Sequence, residues 1–138
     1  MENSKLSREH YIAFADAWLK AWSKADAELV AALYCDDLDY RDPSVPLGIK
    51  NKADFIQYLE VLFKAWPSQR WKLEHLYPHG NQGAFSAEYS FQIANGKTTI
   101  RGRGMDLMVL KEDKVCVNHV YLNADQWNGW IAAELRKK

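Results

Sequence analysis

The amino-acid sequence predicts an α+β fold in which three N-terminal helices cover one face of a curled antiparallel sheet. Two observations carry this. Apolar residues recur every three to four positions as far as Pro67 and every two positions after it. Polar turn signals at 80–83, 95–96 and 112–114 then divide the second half into four runs joined as hairpins.

From Ser7, an N-cap residue type, Tyr11, Phe14, Trp18 and Trp22 share one face of a first helix. Asp26 is placed to cap a second, whose Leu29, Val30, Leu33 and Tyr34 keep the helical period until Asp36 and Asp37 break it. The segment LDYRDPSVPLG alternates briefly and meets two prolines and a glycine, so it reads as a short strand entering an irregular loop. Asn51 opens a third helix with Phe55, Leu59, Leu62, Phe63 and Trp66, and Pro67 ends it.

In the first strand of the meander, Trp71, Leu73, His75, Tyr77 and His79 fall on one face. Phe85, Ala87, Tyr89 and Phe91 do so in the second, and Asn95-Gly96 is a strong hairpin signal. The third spans TTIRGRGMDLMVL and the fourth VCVNHVYLN, before a short amphipathic end around Trp127, Trp130, Ile131 and Leu135. No repeat or linker interrupts the chain, so residues 1–138 are read as one domain.

Composition narrows the function classes. Hydrophobic residues form 48% of the chain and aromatics 13%, with six Trp, more apolar bulk than a minimal core needs; a lined cavity or a subunit face would use it. Eighteen basic residues balance eighteen acidic ones, which leaves no polycationic surface for nucleic acid or anionic lipid. No apolar run approaches the about 18 residues that span a bilayer, and MENSKLSREH has no signal-peptide core, so the expected location is cytoplasmic. Cys35 and Cys116 lie far apart without a metal-binding spacing and are expected to be buried free thiols; no metal or other cofactor is expected.

Two aspartates stand out. Asp42 closes the short strand and precedes Pro43, which fixes an extended backbone; it is either a turn aspartate or an inward carboxylate. Asp106 lies mid-strand among Ile100, Gly102, Gly104, Met108 and Leu110, with Met105, Leu107 and Val109 on the other face. A carboxylate there needs a partner, a proton or a task. Arg101 and Arg103 flank Gly102 and are expected to pair across the strands with Glu88 or a similar residue.

The run WLKAWSKADAELVAALYCDDLDYRDP, the PSQRW entry to the sheet and the later GRGMDLMVLKEDKV resemble the SnoaL-like and ketosteroid isomerase-like branch of the nuclear transport factor 2-like superfamily. The resemblance covers nearly the whole chain. It implies a cone-shaped, cystatin-like α+β barrel around one apolar pocket and an acid-base isomerase or cyclase acting on a hydrophobic carbonyl compound such as a steroid or polyketide. Independently of the resemblance, the outer sheet face carrying Met105, Leu107 and Val109 would be a natural dimer surface, so a homodimer through it is expected. A non-catalytic ligand-binding or docking module, and a dehydratase, are the alternatives.

Carried over by residue, Asp42 matches the general base of ketosteroid isomerases, and Asp106 matches their protonated aspartate, a pairing that is a standard example of divided pKa values. Trp18 stands where those enzymes carry an oxyanion-hole tyrosine, so Tyr58 or Tyr89 is the candidate replacement hydroxyl. Val120 stands where the cyclases carry an acid, and Ala87 to Ser90 lacks the Arg and Asp of limonene epoxide hydrolases. His75 and His79 share a strand face, as a dehydratase would need, with His75 in the pocket and His79 exposed. Ala87, Phe91, Met108, Asn118 and Val120 complete the expected wall. His119 is expected to face outward and His10 to be solvated.

Overall fold

The computed structural model describes residues 6–124. Helix α1 runs Arg8–Ser23, α2 Ala27–Ala31 and α3 Lys52–Ala65, and each begins at a side-chain cap. Ser7 Oγ accepts from His10 N at 3.1 Å, Asp26 Oδ1 from Leu29 N at 3.1 Å, and Asn51 Oδ1 from Asp54 N at 2.8 Å. Each cap satisfies an amide that the first turn leaves without a partner. Helix α1 buries Tyr11, Ala15, Trp18, Leu19 and Trp22, and α3 buries Phe55, Leu59 and Phe63.

Five strands form one sheet: β1 Tyr34–Arg41, β2 Ser68–Pro78, β3 Ala84–Ala94, β4 Thr99–Lys111 and β5 Lys114–Ala124. Their spatial order is β1-β5-β4-β3-β2, so the meander is antiparallel and β1 returns to its far edge parallel to β5. The Asn95 side chain accepts from the amides of Lys97 and Thr98 and so closes the β3–β4 turn. Met105 is exposed and Leu107 and Val109 half-buried on the outer face, while Gly104, Asp106, Met108 and Leu110 are buried on the inner one.

Three expectations change. The helical period through Leu33 and Tyr34 stops at Ala31; Tyr34 opens β1 opposite Val115, with Asp36 and Asp37 exposed on this edge strand. Parallel pairing of β1 with β5 also brings Cys35 and Cys116, 81 residues apart, to a Cα separation of 5.0 Å, where they form a disulfide and are not free thiols. In β2 the register to β3 shifts between Leu73 and His75. The extra residue inverts the later alternation, so Leu76 is buried while His75 and Tyr77 are exposed.

No helix among the described residues is long and apolar enough to cross a membrane. The expected end around Trp127, Trp130, Ile131 and Leu135 lies outside the described residues.

Candidate active site

The concave face of the sheet, closed by α1 and α3, encloses a cavity of about 220 Å³. Its wall is largely apolar, with Trp18, Trp22, Tyr40, Tyr58, Trp71 and Phe91 among the aromatic side chains. Asp42 and Asp106 both line it, so two residues distant in sequence meet in one apolar space.

Asp42 sits just beyond β1, where Pro43 and Ser44 leave the sheet and line the rim. Its Oδ2 accepts from Tyr40 Oη at 2.7 Å and, in a very short bond, from Tyr58 Oη. Its Oδ1 accepts from Ser44 Oγ at 2.6 Å, Ser44 N at 2.7 Å and Val45 N at 3.1 Å. Partial burial pushes this carboxyl up, but hydrogen bonds from Ser44, Tyr58 and Tyr40 outweigh it and hold Asp42 below the ordinary aspartate value. Tyr58 itself is pushed well up by burial and by the Asp42 charge, so it remains a neutral donor.

Asp106 is only 2% exposed. Its Oδ1 accepts from Tyr89 Oη at 2.6 Å and its Oδ2 from Asn118 Nδ2 at 2.9 Å. Burial dominates here and raises Asp106 to about 7, with those two hydrogen bonds pulling the other way and the Asp42 charge adding to the rise. Behind Asn118 the polar chain continues into the core. Tyr34 Oη donates to Asn118 Oδ1 at 2.7 Å, and Trp18 Nε1 donates to Tyr34 Oη at 3.0 Å. A buried polar string of this kind is tolerable because each member has a partner.

Of the residues expected in the wall, Trp18, Tyr58, Tyr89, Phe91 and Val120 line the cavity. Ala87 and Met108 are fully buried but lie outside the lining, packed into the core. Asn118, 1% exposed, is likewise behind the wall and reaches the site through Asp106. His75 is excluded from the pocket, because the irregularity in β2 turns it to the outer surface. With His79 also exposed and bound to Ser86, the histidine pair of a dehydratase is not assembled. His119 pairs with Asp39, and Arg103 with Glu88 at 2.6 Å, both away from the cavity.

Sequence reasoning missed Tyr40, Ser44 and Tyr34. The first two stand within two residues of Asp42, so the tight turn of Asp-Pro-Ser was the available signal. Trp22, identified only as a helix-face residue, lines the cavity with its buried Nε1 unpaired among the described residues.

A curled sheet closed by helices over a cavity with two carboxyls defines an α+β pocket protein. The SnoaL-like domain family matches residues 15–118, and the chain belongs to that family. Solved structures agree on the fold. The chain is similar to a Delta 5-3-ketosteroid isomerase from Mycobacterium sp. (TM-score 0.69, 13% identity, covering 82% of this chain and 96% of that one). It is also similar to a putative SnoaL-like polyketide cyclase from Jannaschia sp. CCS1 (TM-score 0.70, 11% identity, 89% and 91% covered). An LEH-like epoxide hydrolase from M. tuberculosis gives a TM-score of 0.69 at 17% identity, with 81% of each chain covered. No curated protein matches the sequence. The fold is therefore of the ketosteroid isomerase and nuclear transport factor 2-like type, a scaffold shared by isomerases, cyclases and epoxide hydrolases, and the chemistry must be argued from the site.

Proposed function

We propose that this chain is an acid-base enzyme that moves a proton within a hydrophobic carbonyl compound, with Asp42 as the base and the Asp106 side of the cavity holding the carbonyl oxygen. The observation that carries the reading is a pair of carboxyls on one apolar cavity whose surroundings drive their pKa values apart, Asp42 down and Asp106 to about 7. Enolisation needs this division, since one group must be an anion while the other is still a neutral donor.

Asp42 stays charged at neutral pH because its five hydrogen bonds stabilise the anion. Those bonds also make it a weak base, so the C–H proton it removes must be acidified by donors at the carbonyl oxygen. The apolar wall excludes water and strengthens that polarisation.

The cavity sets the size of the substrate. An enclosed volume of about 150 Å³ holds a benzene ring; about 220 Å³ suits one to two rings, with any longer part leaving past Pro43 and Ser44. A mono- or bicyclic ketone fits better than a whole steroid. The test is turnover of β,γ-unsaturated cyclic ketones by wild type and Asp42→Asn. The reading expects isomerisation by wild type and a loss of about 10²-fold or more in the variant; equal turnover by both would remove Asp42 from the chemistry.

A further inference from the structure

We propose that a groove outside the cavity mouth binds a carboxylate at the end of the substrate's side chain, with Arg41 as its partner. This rests on the proton-transfer reading above and makes the substrate a cyclic ketone with an acidic tail. The groove is continuous with the cavity. Asp42, Pro43, Val120 and Leu122 line both spaces, and Arg41 and His119 stand on the outer side of the groove. A cavity of about 220 Å³ holds one to two rings, so a longer substituent leaves across Pro43 and enters this groove.

The fold puts a cation there. Arg41 is the last residue of β1 and the Cα partner of His119, whereas β5 runs on to Ala124. The loop after Asp42 returns at Ile49, whose amide and carbonyl pair with the Tyr40 backbone at 2.8 and 3.0 Å. Gly48 has φ +95°, and a Cβ there would lie 3.3 Å from Asp39 Oδ1 and 3.4 Å from Arg41 Cγ. The glycine thus lets the loop close against these side chains. Lys50 is thereby brought to Asp39 Oδ1, where its Nζ donates at 2.8 Å.

Asp39 holds Arg41 by one edge only. Arg41 Nε donates to Asp39 Oδ1 at 3.1 Å and Nη2 to Oδ2 at 3.4 Å, while Nη1 has no partner among the described residues. The Nη1–Nη2 edge of the guanidinium keeps its donors, and such an edge takes both oxygens of a carboxylate. The charges agree. Arg41 and Lys50 are two cations on one carboxylate, so the cluster keeps an excess of positive charge. Burial works against the Asp39 anion, but hydrogen bonds from Lys50, Arg41 and His119 outweigh it and hold this carboxyl at about 2.

The walls suit the methylene part of a tail. Tyr121 is 66% exposed and Leu122 41%, and with Pro43, Pro46 and Val120 they give the groove an apolar lining. Asp42 stands at the boundary of the two spaces. Its hydrogen bonds come from hydroxyl and amide donors and none from a cation, so its charge repels an acidic tail while Arg41 attracts one. A ligand is therefore bound with its ring, and not its acid, against Asp42.

The experiment measures the affinity of (4-oxocyclohexyl)alkanoates of increasing chain length, and of the matching primary amides and alkyl phosphates, for wild type, Arg41→Gln and Lys72→Gln. The Arg41 side chain is 44% exposed, so the best acid should bind only about fivefold more tightly than its amide at low salt, and the ratio should shrink at high salt. Arg41→Gln should lose this preference. Lys72→Gln, which removes an exposed cation of β2 at the opposite edge of the sheet, should keep it. In wild type the Arg41 Nε–H resonance should move when the acid binds and not when the amide does, a reading that needs no variant. Equal affinity of acid and amide, or a preference that Arg41→Gln retains, overturns the groove and leaves the proposed function standing. Tighter binding of the phosphate than of the acid overturns the carboxylate assignment. The expected preference without turnover of the unsaturated ketones keeps the groove and overturns the function. If none of the ketones binds, the ring class is wrong and the groove is read with octanoate against octanamide: the acid alone must still move the Arg41 resonance, and a stationary resonance overturns the proposal.

Discussion

Replacing Asp106 by Asn should remove a specific pH dependence of stability. The Asp106 carboxyl is 2% exposed and is raised by burial from an ordinary 3.8 to about 7. A carboxyl whose folded pKa lies above its unfolded one binds its proton more tightly in the native state, so stability falls as pH rises between the two values and levels off above the higher. At about 1.36 kcal/mol per pK unit the interval corresponds to about 4 kcal/mol. The Asn side chain presents a neutral amide to the same partners: its oxygen can accept from Asn118 Nδ2 and its N–H₂ can donate to Tyr89 Oη. The assay is urea unfolding from pH 4 to 8.5 on both proteins. Wild type should lose about 4 kcal/mol relative to Asp106→Asn across this range, most of it below about pH 7. Carboxyls with depressed values, Asp39 at about 2 and Asp42, act in the opposite sense, giving stability that is lost only as pH falls below about 4, and they are common to both proteins. Parallel stability curves for the two proteins would refute the claim that Asp106 is held neutral by burial.

Two further outcomes follow from the geometry. Tyr58→Phe removes one donor from the Asp42 anion, so the Asp42 carboxyl should titrate at higher pH than in wild type by ¹³C NMR, with the Asp106 titration little changed. The Cys35–Cys116 bond closes a long loop between β1 and β5, so replacing both cysteines by Ser should lower unfolding stability by about 2–4 kcal/mol. Non-reducing peptide mapping of protein made in an oxidising compartment should find the linked pair.

Much of this architecture is written in local signals. The helical period of Tyr11, Trp18 and Trp22, the caps at Ser7, Asp26 and Asn51, and the Asn95-Gly96 turn each act within a few residues, and each appears where expected. Alternation grouped Gly104, Asp106 and Met108 on one face of the strand without deciding between two apolar faces; the family resemblance pointed that face inward, and the structure buries it. What escaped depends on contacts distant in sequence or on one-residue irregularities. Nothing around Glu74 marks the register shift, yet it turns His75 out of the pocket. Pairing of β1 with β5 decides both the disulfide and the burial of Tyr34, whose spacing alone fits a helix as well as a strand. The rotation of Tyr89 toward Asp106 had one available clue, a mid-strand glycine directly across from it on β4 and on the same face of the sheet.

The division between the two carboxyls is best tested by ¹³C-carboxyl NMR titration of ligand-free wild type, with Asp42→Asn and Asp106→Asn used to assign the resonances. The account predicts one cavity aspartate titrating near 7 and lost in Asp106→Asn, and one titrating below the ordinary aspartate range and lost in Asp42→Asn. Two carboxyls that both titrate at about 4, as exposed aspartates do, would contradict it.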